Sequence, residues 1–387
     1  MLERSRIVWP ACKEGERLRV TGPANHCEEL WARLAFFPWS IPSIKKELDM
    51  DNRAQNIFKP EFRFGLGGVP LGNEFAKHTD KDAQATLEAA WALGVRYYDV
   101  APWYGLGLAE RRFGNFLHGQ RRDNYLLSSK VGKLFKASRN NHHAEMFPLS
   151  DSPNDLVIDY TADGVRRSIE DSLQRLGVSH LDIAFVHDLS PDFAWFPDGG
   201  WEKQYEIARK GAFPALSKMR DEGIIRAWGV GVNTPYAILK VIEDADPDVC
   251  LCARQYSLID HANALNQVFP AVRAKSVSLV IGSALNAGFI SGSPRFNYGK
   301  GNFKIPPEVN QKLVRLRAVA ERHAVDLRTA ALQFSAAASE AVALVVGAGS
   351  ERQIQENWNS MQVTIPKDFW NELKQERLIE ENAPTAS

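Results

Sequence analysis

The 387-residue chain predicts an α/β protein, a closed (β/α)8 TIM barrel whose C-terminal rim loops form the active site. Three observations predict it. From about residue 62, short β-branched or apolar runs alternate with longer amphipathic runs, and the unit recurs eight times. The short runs are apolar throughout, as expected of strands covered on both faces. No G-x-G-x-x-G follows the first strand, whereas an open doubly wound sheet, the alternative, should carry one. GLGGVPLG at that place has the wrong spacing and reads as a Gly-rich turn closing the barrel floor.

The elements follow in order. RFGLGG is the first strand, and DAQATLEAAWALG is a helix ended by Gly94. YYDV and LAERRFGNFLHG form the second pair, and YLLSSKVG is the third strand. TADGVRRSIEDSLQRLG is the third helix, with Thr161 as its N-cap. LDIAFVHD is the fourth strand, and EKQYEIARKGAFPALSKMRDEG contains the fourth helix. IRAWGVGV, VCLCARQYS, SLVIGSA and VALVVGA are the remaining strands. PYAILKVIEDA, LNQVFPAVRAKS, PEVNQKLVRLRAVAERHA, LRTAALQFSAAAS and ERQIQENWNSM are amphipathic. The long connections 132–160, 188–201 and 288–306 fall on the rim, where specificity is built. No low-complexity linker divides residues 56–387, which read as one domain.

Composition narrows the function. Basic and acidic residues balance at 47 each, so nothing marks nucleic acid or an anionic membrane as a partner. No apolar run reaches the roughly 18 residues that span a bilayer. Four cysteines make no disulfide framework, and Cys250 and Cys252 read as buried thiols of a reducing, cytoplasmic protein. No metal site is expected, and His142 and His143 read as solvated loop residues. Residues 1–55 mix Pro, Trp, Cys and charge without periodicity and lack the parts of a signal peptide. They are expected to be a poorly ordered extension, with Met50 an alternative start.

Asp99, Tyr104, Lys130 and His187 each stand where a short apolar run ends, in DVAPWYG, SSKVG and VHDL. Barrel enzymes place their chemistry at such strand ends. Neighbouring parallel strands lie about 4.8 Å apart, so these side chains can converge. A phenol ionises near pH 10, and an adjacent ammonium favours its ionised form. Tyr104 is therefore the expected general acid/base, Lys130 its activator, Asp99 the anchor of Lys130, and His187 a hydrogen-bonding partner of the substrate oxygen. Taken singly, each has an ordinary structural explanation; together, on consecutive units of one barrel, they make a proton-transfer site that needs no metal.

These words and spacings, from Phe62 to about Met361, resemble the aldo-keto reductase family. The resemblance implies NAD or NADP as cofactor and the same four roles for the same four residues. It implies further cofactor contacts from Ser283, Ala284, Leu285 and Asn286, from Gly288 in the GFISG segment, and from Asn357. Some positions depart from the family pattern. GVGVN carries Gly231 and Val232 where most relatives have Ser and Asn, so Asn233 is expected to take over that contact. Ala253 replaces a Gln, and Gly282 replaces an aromatic residue. Gly347 and Gln353 stand where NADP-preferring relatives place Lys and Arg, which leans toward NAD, although Arg352 is adjacent. Trp103, Trp195 and Trp201, with Phe196, are candidate substrate contacts, since tryptophan faces stack on sugars and heteroaromatic rings. FGLGGVPLGN, GAFPALSKMRDEGIIRAWGVGVN and ARQYSLID are similar to a group of aldose and pyridoxal dehydrogenases that oxidise a cyclic hemiacetal to a lactone with NAD(P). The resemblance also leaves open a general NADPH-dependent aldehyde or ketone reductase, and a dinucleotide-sensing binding subunit of the potassium-channel β type.

Overall fold

A computed structural model describes residues 56–139, 148–150, 152, 154–197, 199–297 and 304–386. The expectations for the N-terminal segment, with Cys12, Cys27 and Met50, and for His142 and His143 lie outside these residues.

Eight parallel strands close into the expected barrel: β1 (Phe64–Gly67), β2 (Tyr97–Asp99), β3 (Leu126–Val131), β6 (Ile183–His187), β7 (Ala227–Val232), β8 (Val249–Ala253), β9 (Ser278–Gly282) and β10 (Ala341–Gly347). β1 closes the ring by pairing with both β10 and β2. β7 can lie against β8 because Gly229 has no side chain: a Cβ there would sit 1.8 Å from the Val249 carbonyl oxygen. A short antiparallel hairpin, β4 (Lys133–Lys136) with β5 (Asp155–Ile158), stands on the rim inside the connection read from sequence as a loop.

Two apolar layers hold the barrel. Inward-facing Leu126, Ile183, Phe185, Val249, Val280 and Val345 fill the bore. Ile57, Phe58 and Phe62 join them from the N-terminal side, with Phe58 set edge-on to Tyr97 at 5.4 Å, and so form the floor. This corrects the reading of GLGGVPLG: it follows β1 at the opposite, C-terminal mouth, where Gly67, Val69 and Pro70 line a groove. The outward faces, including Tyr98, Val186, Val230 and Ile281, pack under the helices.

The helices are α1 (Asp80–Ala92), α2 (Leu108–Leu117), α3 (Ala162–Leu176), α4 (Gly200–Lys210), α5 (Ala212–Asp221), α6 (Pro235–Asp244), α7 (Phe269–Ala274), α8 (Pro307–Arg322), α9 (Leu327–Ala336), α10 (Glu351–Ser360) and α11 (Lys367–Gln375). The run read as one fourth helix is two, broken at Gly211, where a Cβ would meet the Ala162 backbone nitrogen at 2.9 Å. α7 is entered through a π-turn at Ala264–Val268. α11 lies beyond the last element expected from sequence and buries Phe369, Trp370 and Leu373. Thr161 caps α3 by accepting the Gly164 N–H at 3.0 Å. Thr161→Ala is therefore expected to lower unfolding stability by about 1 kcal/mol, read from a denaturant titration, with activity unchanged. Among the described residues no helix is long and apolar enough to cross a membrane. Cys250 and Cys252 are free and buried, and burial pushes both thiols up to about 12.

Candidate active site

The barrel brings the four strand-end residues together at the C-terminal mouth. Asp99 ends β2, Lys130 lies near the end of β3 and His187 ends β6, next to β3. Lys130 Nζ donates to Asp99 Oδ2 at 2.7 Å and to the Val100 carbonyl at 3.1 Å. Asp99 Oδ1 accepts from Ser128 Oγ at 2.6 Å. With that proton committed, Tyr97 OH donates to Ser128 Oγ at 3.0 Å. Burial pushes the Tyr97 phenol well above its ordinary range, which keeps it a donor. Lys130 and Asp99 are both buried, so each depends on the other for charge balance.

Tyr104 sits in the turn after β2, and this turn abuts the one after β1 backbone to backbone. A Cβ on Gly105 would lie 2.3 Å from the Gly72 carbonyl oxygen, and one on Gly72 would lie 2.6 Å from the Tyr104 carbonyl carbon. Two glycines at this crossing therefore fix where Tyr104 stands. Lys130 Nζ is 4.8 Å from the centre of its ring. The His187 ring lies edge-on at 5.8 Å. Burial holds the His187 imidazole well below its usual range, and the ammonium groups of Lys133 and Lys130 add to the shift. His187 is thus neutral, and its Nδ1 is buried with no hydrogen-bond partner among the described residues.

A groove of about 810 Å³ opens from Asp99 and Tyr104. It passes Leu251, Ala253 and the Gly282–Leu285 turn, and takes in Gly347, Arg352, Gln353, Glu356 and Asn357. Ser283, Ala284, Leu285, Gly288, Gly347, Gln353 and Asn357 line it. Asn286 does not: it is buried and donates to Asn297 Oδ1 at 3.0 Å. Asn233 also lies off the groove, its carbonyl accepting from Gln255 Nε2 and its amide reaching Asp188 Oδ1 at 3.5 Å. The Trp103, Trp195 and Trp201 side chains stand outside the groove lining. Trp103 packs on Phe193 in the rim wall beside Tyr104, Trp195 is 52% exposed, and Trp201 lies tilted against Tyr205 and Tyr236. Phe75, His78, Arg295, Arg317 and Arg328 line the groove as well, and no sequence motif had pointed to them.

The groove suits a dinucleotide. Ser283, Ala287 and Gly288 all take left-handed backbone conformations, so the chain after β9 turns tightly and presents main-chain groups. The N-terminal turn of α10 contributes Arg352 and Gln353, a position that favours an anionic group. Leu251, Val345, Val346 and Ile290 give apolar walls. Among the described residues no group of three or more His, Cys, Asp or Glu is gathered around a metal position.

A barrel with this tetrad at its mouth and a dinucleotide-shaped groove beside it defines a nicotinamide-linked oxidoreductase acting on small molecules. The chain belongs to the aldo/keto reductase family, whose model matches residues 63–377. It is 34% identical over 328 residues to a D-threo-aldose 1-dehydrogenase from a species of Pseudomonas, covering 81% of this chain and 94% of that one. It is 32% identical over 338 residues to the pyridoxal 4-dehydrogenase of Microbacterium luteolum, again covering 81% and 94%. Its fold matches that of an aldo-keto reductase from Bacillus halodurans in its holo form, with a TM-score of 0.62 at 22% identity over 82% of this chain and 92% of the other.

Proposed function

We propose that the protein oxidises the anomeric hydroxyl of a cyclic hemiacetal, an aldose or a pyridoxal-like compound, to a lactone. The observation that carries this reading is the Lys130 ammonium at 4.8 Å from the Tyr104 ring, held by Asp99 at the mouth of the groove. An ammonium in that position favours the phenolate, the form that removes a proton. The likeness to an aldose dehydrogenase and a pyridoxal dehydrogenase supports the substrate class, because both molecules close into a hemiacetal.

When bound, the dinucleotide supplies the hydride acceptor beside the substrate carbon. Tyr104 takes the hydroxyl proton as the carbon becomes a carbonyl. Neutral His187 hydrogen-bonds the same oxygen, and Lys130 balances charge at the phenol. Asp99, held from behind by Ser128 and Tyr97, bonds the Lys130 ammonium directly and keeps it in place.

The cofactor is NAD in this reading. Gly347 and Gln353 line the adenosine end without a positive charge, and the Gln353 side chain is spent on the Gly349 N–H at 2.8 Å. Arg328 and Arg352 line the same end, but both pair with Glu356. The Glu356 carboxylate suits ribose hydroxyls and opposes a 2′-phosphate. NAD should exceed NADP in kcat/KM by about tenfold or more, since one charge-assisted hydrogen bond contributes about 1.5–3 kcal/mol.

The test is nicotinamide reduction by purified protein, with NAD and NADP separately, against L-fucose, L-galactose, D-arabinose and pyridoxal. Turnover with one of them supports the reading. NADPH consumption with simple aldehydes and no oxidation would replace it with a general reductase. Dinucleotide binding with no turnover in either direction would favour a sensing subunit.

A further inference from the structure

A second lysine, outside the tetrad, is built into this mouth. Lys133 opens β4 one turn beyond Lys130, and its side chain is only 1% exposed. Its ammonium pairs with the Asp188 carboxylate and lies over two aromatic faces, 3.9 Å from the Trp103 ring centre and 4.3 Å from that of Phe193. Asp188 directly follows His187, in a left-handed conformation at φ 51°. Its N–H bonds the Gly231 carbonyl at 2.9 Å, and its other carboxylate oxygen meets the Asn233 amide. One Asp188 oxygen lies 3.6 Å from His187 Nε2. A lone carboxylate at that distance would draw a proton onto the imidazole.

We propose that Lys133 is a positioning residue: by holding the Asp188 carboxylate in a buried pair, it keeps His187 neutral and free to hydrogen-bond substrate. The inference rests on the reading of His187 as the residue that meets the substrate oxygen. The charged and titratable groups facing His187 come from every side. They are Lys133 on β4, Lys130 on β3, Tyr104 after β2, Asp188 next in sequence, and Tyr160, whose OH donates to the His187 carbonyl at 2.7 Å. Asp188, and Tyr104 when ionised, favour the imidazolium, and Lys133 offsets Asp188. Burial, opposed by Asp188, brings the Lys133 ammonium down to about 8, so it stays charged at neutral pH.

The signs of two substitutions are opposite. Lys133→Met removes a cation and frees the carboxylate, so His187 protonates at higher pH. Asp188→Asn removes the carboxylate and leaves the cation, so His187 protonates at still lower pH than in the parent. The experiment is a ¹⁵N-imidazole NMR titration of the full chain, with the His187 signal assigned through His187→Gln. In the parent, His187 should stay neutral as pH falls through the ordinary imidazole range near about 6.5. In Lys133→Met its midpoint should rise by about 1–3 pH units; in Lys133→Arg it should stay at the parent value. An unchanged midpoint in Lys133→Met, or a rise in Asp188→Asn, would overturn the proposal. A packing role alone would lower the melting temperature of Lys133→Met and leave the midpoint unmoved. Should Lys133→Met fail to fold, Asp188→Asn and Lys133→Arg carry the test. The readout needs no substrate, so failure of the hemiacetal reading leaves it intact.

Discussion

Replacing Tyr104 with Phe should lower kcat by about a hundred- to ten-thousand-fold, the range that a positioned general acid or base contributes. The ring stays, so its contact with Lys130 and its edge-on meeting with His187 stay too. The Gly72–Gly105 crossing that sets the turn is not touched. Only the hydroxyl is removed. Dinucleotide affinity should therefore change little, and the loss should fall on turnover. Stopped-flow kinetics with cofactor titrated by fluorescence separates the two. Loss of binding with kcat retained would remove Tyr104 from the chemistry.

Lys130→Met should be costlier still, because it strikes stability as well as turnover. Asp99 is 3% exposed; Lys130 meets one carboxylate oxygen and the Ser128 hydroxyl, backed by Tyr97, donates to the other. Removing one member of such a buried pair leaves a stranded charge and costs about 3–5 kcal/mol. Turnover should fall at least as far as in Tyr104→Phe, because the phenol then lacks the ammonium that favours its ionised form. The double variant Asp99→Asn with Lys130→Met should recover much of the stability and none of the activity. Chemical denaturation and steady-state rates on the same samples test both halves. A fully active Lys130→Met would refute the role given to Lys130.

The parts of this design that the sequence discloses are those with a local signature. The eight strands are visible because a buried parallel strand must be apolar along its whole length, as in AWGVGV or LVIG. Thr161 announces its helix because a cap needs a side-chain oxygen at that one position. Lys130 and Asp99 are visible because they end such runs, and the fold pairs them at 2.7 Å. Lys133 is hidden in the sequence for the opposite reason. In KLFK it looks like one polar residue in a short charged segment, and only the tertiary fold lays Trp103, Phe193 and Asp188 around it. The β4–β5 hairpin carries no sequence signal because its strands are short and lie far apart in sequence. The groove-lining arginines sit on helix surfaces or in a rim loop, where charge is ordinary. Sequence position assigns Asn233 and Asn286 to the cofactor, but it does not reveal that one side chain turns to Asp188 and the other to Asn297.

The central claim is that hydride leaves the anomeric carbon for nicotinamide while Tyr104 takes the hydroxyl proton. The most direct measurement uses an aldose deuterated at C1, with NAD, followed by mass spectrometry of the reduced dinucleotide and of the sugar product. One deuterium is expected on the nicotinamide ring and a lactone as product, both formed at least about a hundredfold more slowly in Tyr104→Phe. A lactone formed without deuterium on nicotinamide, or equal transfer in Tyr104→Phe, would contradict it.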